Sequence, residues 1–258
     1  MQELVAKPNI KDLSLDELTA HLVERQEPAY RARQIWQWLF RKGAVTFAEM
    51  TNLSGSLRDR LSEDFTISRL VPLRQAVSAD GTKKFLLGLS DGQSIEAVLI
   101  PEVRRLTLCV STQAGCGFGC AFCATALLGL RRNLRASEIL DQILEASRSL
   151  SRDQRITHVV LMGMGEPLAN YAETVKALTV MADTSWGIGI SPRRITLSTV
   201  GLVPQIRRLM EETRVNLAIS LHAATDALRG ELMPVNRKYS LQQLMECCRS
   251  LPIPRRKR

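Results

Sequence analysis

Residues 106–123 read LTLCVSTQAGCGFGCAFC, and their reading decides the fold. Leu106, Leu108 and Val110 alternate with Thr107, Cys109 and Ser111, which is a strand with one greasy face and one small, polar face. A loop follows at once, in which Cys116, Cys120 and Cys123 stand in the spacing C-x3-C-x2-C, with Phe122 just before the last. Three thiols this close are no disulfide framework. Half of the six cysteines in the chain lie in this loop, which points to metal or redox chemistry in a reducing compartment.

Downstream, strand and helix patterns alternate. Strands are predicted over 106–112, 157–162, 194–199 and 215–222, with helices over 136–150, 171–183, 203–213 and 241–251. Such alternation implies parallel strands with helical crossovers. Ile195 and Leu197 oppose Thr196 and Ser198, while Leu217, Ile219 and Leu221 oppose Ala218, Ser220 and His222. A flat sheet covered on both sides would be apolar on both faces. One polar face instead suits a barrel with a ligand in its mouth, so the expected class is α/β, a (β/α) TIM-like barrel.

Upstream, residues 1–67 read as a small helical domain. Ser14 and Glu17 form a capping-box pattern, and a helix over 30–41 carries Ile35, Trp36, Trp38, Leu39 and Phe40, ringed by Arg31, Arg33, Arg41 and Lys42. A third helix is expected over 56–65. Residues 68–102 read as a β-hairpin extension, with strands over 74–78, 83–89 and 94–99. The turn pairs Asp80-Gly81 and Asp91-Gly92 break them, and Pro101 is expected to close the segment. Residues 103–258 form the core.

The 258 residues carry 35 Lys+Arg against 26 Asp+Glu, a net charge of +9, which favours a polyanionic partner such as RNA. No run is long and apolar enough for a membrane span or a secretory signal, so the expected location is the cytoplasm.

Thiolates are the usual ligands of iron–sulfur clusters. Three on one loop can hold three irons of a 4Fe–4S cube and leave the fourth for S-adenosylmethionine (SAM). The competing reading is a structural zinc ion, with His158 or His222 as fourth ligand, though neither has finger-like spacing. In Met164-Gly165-Glu166-Pro167, a strand enters a glycine-rich turn whose carboxylate suits a cationic ammonium. Taken singly, other residues read blandly: Glu96 as a surface charge, Cys109 as an inert core thiol, Ser198 and Ser220 as satisfied hydroxyls and His222 as a core histidine.

The stretches CVSTQAGCGFGCAFCATALLGLRRNL (109–134), LMGMGEPLANY (161–171), LSTVG (197–201) and LAISLHA (217–223) together closely resemble the RlmN/Cfr family of radical SAM methyltransferases. The resemblance covers essentially the whole chain. It implies that Cys116, Cys120 and Cys123 hold the 4Fe–4S cluster, and that Gly165, Glu166, Ser198, Ser220, Leu221 and His222 contact SAM. It also implies that Glu96 accepts a proton and Cys109 resolves an RNA–protein adduct. The implied activity is methylation of C2 of adenine in 23S rRNA and tRNA, with an electron donor such as flavodoxin. A C8-methylating enzyme of the Cfr type, or a non-catalytic iron–sulfur or zinc RNA-binding protein, remains the alternative.

The family's methyl-carrying cysteine lies beyond Arg258, so the barrel is expected to be partial and the chain alone to transfer no methyl group. Cys247 and Cys248 are read as packing residues, the basic 255–258 run as the approach to a further strand, and the open strand edge after 215–222 as aggregation-prone.

Overall fold

The structure is a computed structural model and describes residues 7–252. The expected continuation at 255–258 lies outside the described residues. The chain begins with three helices, α1 (Leu15–Glu24), α2 (Tyr30–Phe40) and α3 (Gly55–Asp64). The predicted capping box opens α1: the Ser14 backbone N–H donates to Glu17 at 2.6 Å and the Glu17 N–H to Ser14 Oγ at 3.1 Å. Ile35, Trp36, Leu39 and Phe40 are buried as expected, whereas Trp38 is only half-buried.

The helical unit docks on the core through charge as well as apolar packing. Lys11 and Asp141 are each 3% exposed and form an ion pair, and Lys11 also donates to the Ser68 carbonyl. Burial pushes the Asp141 carboxyl up to about 6, against the pull of Lys11. A carboxyl raised from 3.8 contributes stability that is complete below that value and lost as pH climbs through about 6. Lys11→Met should cost about 3–5 kcal/mol, because it leaves a buried carboxylate unpaired. Urea denaturation checks this. Adding Asp141→Leu should recover most of the loss, and a single variant as stable as the parent would contradict the reading.

Four antiparallel strands follow: β1 (Val71–Val77), β2 (Lys83–Gly88), β3 (Ser94–Glu102) and β4 (Arg105–Cys109). Both Asp-Gly turns form, with Gly81 and Gly92 at φ +83° and +81°. Pro101, however, does not end the segment. It lies within β3 opposite Leu106 of β4, past the last β2 pairing at Leu99, so its missing N–H is needed by no strand on the β2 side.

A short antiparallel arm, β5 (Gln113–Gly115) and β6 (Leu130–Asn133), flanks the one-turn helix α4 (Ala124–Leu127). The alternating part then runs α5 (Ala136–Arg148), β7 (His158–Leu161), α6 (Tyr171–Ala182), β8 (Ile195–Thr199), α7 (Val203–Glu212), β9 (Asn216–Ile219), α8 (Asp226–Leu232) and α9 (Leu241–Ser250).

One sheet holds seven strands in the order β1-β2-β3-β4-β7-β8-β9, antiparallel to β4 and parallel from β4 to β9. The hairpin strands are thus continuous with the parallel ones. Among the described residues the sheet stays open at β1 and β9, which makes it a partial barrel of the expected class. Leu108, Val110, Val159, Leu161, Ile195 and Leu197 are buried, while Thr107, Cys109, His158, Val160, Thr196 and Ser198 remain half-buried on the opposite face. Leu217 and Ile219 are also only half-buried, because β9 lies at the edge.

Candidate metal and cofactor site

The thiol loop hangs from the carboxyl end of β4. Gln142 of α5 grips Ser111 in the manner of a neighbouring strand: its Oε1 accepts the Ser111 N–H at 2.8 Å and its Nε2 donates to the Ser111 carbonyl at 2.9 Å. The loop closes where the Cys116 N–H donates to the Gly129 carbonyl at 3.0 Å. Gly115 has φ +78°, and a Cβ there would fall 1.8 Å from that same carbonyl oxygen, so this corner requires glycine. Further on, the Cys123 N–H donates to the Cys120 carbonyl at 3.1 Å, and the Ala121 N–H to the Leu232 carbonyl at 2.9 Å.

Cys116 and Cys120 are buried, Cys123 is half-buried, and all six cysteines are free thiols. Burial pushes the Cys116 and Cys120 thiols up, and the neighbouring Cys123 and Glu166 charges add to this. The protein alone therefore disfavours ionisation of Cys116 and Cys120. A cationic iron core would supply the missing compensation. Among the described residues no three His, Cys, Asp or Glu side chains close round a single ion. A 4Fe–4S cluster takes one thiolate per iron, and three free thiols on one loop are the donor chemistry it needs. His158, a possible zinc ligand by sequence, sits at the amino end of β7, away from the loop.

The turn after β7 is laced onto the end of β4. The Gly163 N–H donates to the Val110 carbonyl at 3.1 Å, the Thr112 N–H to the Met164 carbonyl at 2.9 Å, and the Met164 N–H to Ser111 Oγ at 2.9 Å. Gly165 has φ +97°, and a Cβ there would meet Gln113 Cβ at 2.5 Å. Gly165→Ala should therefore destabilise the chain by about 2 kcal/mol or more, through left-handed strain and overlap together. A thermal melt of the metal-free chain checks it, and an unchanged midpoint would contradict it.

The Glu166 carboxylate is held within the chain. Only 2% of the residue is exposed, and its oxygens accept the Leu168 N–H at 3.0 Å and the Val200 N–H at 2.8 Å. Burial raises its pKa while those two amides pull the other way. The side chain is a staple between the turns after β7 and β8.

Ser198 on β8 and Ser220 just beyond β9 bring their hydroxyls to 3.4 Å. Leu221 is exposed. His222 holds φ +60°, uncommon for a side chain other than glycine, and its ring lies 4.4 Å from that of Phe122 in the thiol loop. The structure thus gathers the loop, the Gly163–Glu166 turn and the β8 and β9 ends at one edge of the sheet.

Cys109 and Glu96 stand on the polar face nearby. Cys109 pairs with Val98 across β3 and with Val160 across β7, and burial pushes its thiol up. The Glu96 carboxylate is half-exposed and pairs with Lys84 at 2.9 Å, while its backbone carbonyl accepts from Ser111 Oγ at 2.6 Å. Cys247 is buried with its thiol directed at the Val203 carbonyl, and Cys248 is half-buried, in keeping with packing roles.

Sequence reasoning missed Arg229, which is 0% exposed in α8. It donates to the carbonyls of Val200 at 2.7 Å, Leu221 at 3.1 Å and Ser220 at 3.3 Å, and to Asn236 Oδ1 at 2.8 Å. One guanidinium thereby joins the loops after β8 and β9. A lone arginine in a polar helix looks like a surface charge, and no local signal marked it.

These features define a radical SAM protein, and residues 110–252 match the family model of the radical SAM superfamily. Residues 8–67 match that of the ribosomal RNA large subunit methyltransferase N-terminal domain. The dual-specificity RNA methyltransferase RlmN of Syntrophobacter fumaroxidans is 50% identical over 96% of this chain and 72% of its own length. That of Geobacter sulfurreducens is 48% identical over 97% and 68%. A radical SAM methyltransferase from Sphaerobacter thermophilus superposes with a TM-score of 0.87 at 43% identity, over 94% of this chain and 72% of that one. The chain belongs to the RlmN family. Membership implies a 4Fe–4S cluster and SAM as cofactors.

Proposed function

We propose that this chain belongs to a radical SAM RNA methyltransferase acting on C2 of adenine in 23S rRNA and tRNA. The observation that carries the reading is three free thiols on one loop, at the sheet edge where the Gly163–Glu166 turn and the β8 and β9 ends meet. When bound, the cluster supplies the electron that splits the sulfonium C–S bond of SAM.

This chain's own residues do the rest. Cys116, Cys120 and Cys123 anchor the cluster. Gly165 allows the backbone of its turn to approach the donor, and Glu166 holds that turn in place. Ser198, Ser220, Leu221 and His222 border the same space. Cys109 and Glu96 act on the substrate side of the polar face, the first as a thiol and the second as a carboxylate base beside Lys84. In this reading residues 1–67 are an RNA-contacting accessory unit, 68–102 a hairpin extension and 103–258 the catalytic core. A low-potential donor such as flavodoxin supplies the electron, in the cytoplasm. Among the described residues no helix is long and apolar enough to cross a membrane.

Anaerobic reconstitution with iron and sulfide tests the proposal. The chain should turn brown, show a reduced-cluster EPR signal that SAM perturbs, and release 5′-deoxyadenosine on reduction. Purified, oxygen-protected material holding one zinc ion and no sulfide would overturn it. Nucleoside mass spectrometry of cells with and without the gene distinguishes C2 from C8.

A further inference from the structure

At the amino ends of β7 and β8, opposite the thiol loop, a cleft of about 700 Å³ opens between the ends of α2 and α5. Arg41, Lys42, Arg148, Arg155 and Arg194 line it, and no carboxylate does so among the described residues. Glu145, the acid bonded to Arg148, is shared with Arg69. Arg41 is fixed by the carbonyls of Gly187, at 3.1 Å from its Nε, and Thr184, which orient the guanidinium without neutralising it. Arg155 and Arg194 form no ion pair among the described residues. The His158 pKa is lowered, by burial first and then by Arg194 and Arg105, which agrees with an excess of positive potential at this end. Buried apolar side chains, Ile143, Ile156 and Ile190 among them, form the floor.

We propose that this cleft is a second ligand site, which binds the phosphate groups of a nucleotide. Guanidinium forks suit phosphate oxygens, and oriented ones lose little freedom on binding. A floor of isoleucines beneath a cationic rim suits a planar base attached to those phosphates. The nucleotide is either free or a unit of an RNA strand, and the chemistry recognised is the same. The site stands apart from the thiol loop and does not depend on the cluster reading.

The test compares the full chain with Arg155→Ala/Arg194→Ala. Both side chains are exposed, so the melting temperature should not change. One arm measures ATP binding by equilibrium dialysis, and the other measures binding of a short single-stranded RNA across a salt series. The proposal expects at least a tenfold loss in one arm. If the RNA arm responds, its log–log salt slope should fall by about 1.4, because each of two single-strand phosphate contacts contributes about 0.7. A loss with ATP identifies a free nucleotide, and a loss with RNA alone identifies the strand. Arg207→Ala/Arg214→Ala removes equal charge from exposed positions outside the cleft and serves as control. Equal losses in both double variants, or none in the first, overturn the proposal. Iron and sulfide content after reconstitution reports separately on the thiol loop, so failure of one reading is not failure of the other.

Discussion

Cys120→Ala should reduce iron and sulfide incorporation to background and abolish 5′-deoxyadenosine release, while the metal-free chain melts as the parent does. Cys120 stands in the middle of the loop, buried, and its thiol interacts with those of both Cys116 and Cys123. Losing one of three ligands leaves two irons held by protein, too few to retain a cube against exchange. The backbone that shapes the loop is untouched, because its hydrogen bonds run through the Cys120 carbonyl and the Ala121 N–H rather than through sulfur. Burial already disfavours the thiolate, so removing it from the metal-free protein costs little. Cys248→Ala is the control and should load iron fully. A Cys120→Ala chain that still takes up a full complement of iron and sulfide would refute the ligand assignment.

Arg229→Met should cost about 4 kcal/mol or more, since each buried acceptor left unsatisfied costs about 1–3 kcal/mol. Four acceptors bond this side chain, three backbone carbonyls and the Asn236 amide oxygen, and of these the Leu221 carbonyl also accepts the Ala223 N–H. Because the carbonyls belong to Val200, Ser220 and Leu221, the loss should spread to the site. Urea denaturation reads the stability, and the SAM-induced change in the cluster EPR signal reads whether the disturbance reaches the site. Arg229→Lys keeps the charge but reaches fewer acceptors, so it should recover part of the stability and less of the spectral change. A Met variant with parental stability would show that water can serve those carbonyls, and the account would fail.

The strands β4, β8 and β9 were legible because each alternates large apolar with small or polar residues at period two. The capping box at Ser14 and Glu17 and the two Asp-Gly turns were legible because they are local hydrogen-bonding patterns. The arm of β5 and β6 was not, since strands of three and four residues carry no measurable period. Pro101 misled because its tolerance in β3 depends on where the neighbouring β2 pairing ends, which is a matter of register between strands.

The chain's sequence by itself determined its chemistry class: the thiol spacing, the glycine turn that follows β7 and the order of strands and helices are all written in neighbouring residues. Tertiary structure alone decided what the charges do. Glu166 staples two turns and Arg229 clamps two loops. Arg155 and Arg194 are 39 residues apart in sequence, and only the fold sets them on one cleft. The physical reason is that a charge acts through its burial and its partners. Both are properties of groups brought together from distant parts of the chain, which no local pattern encodes.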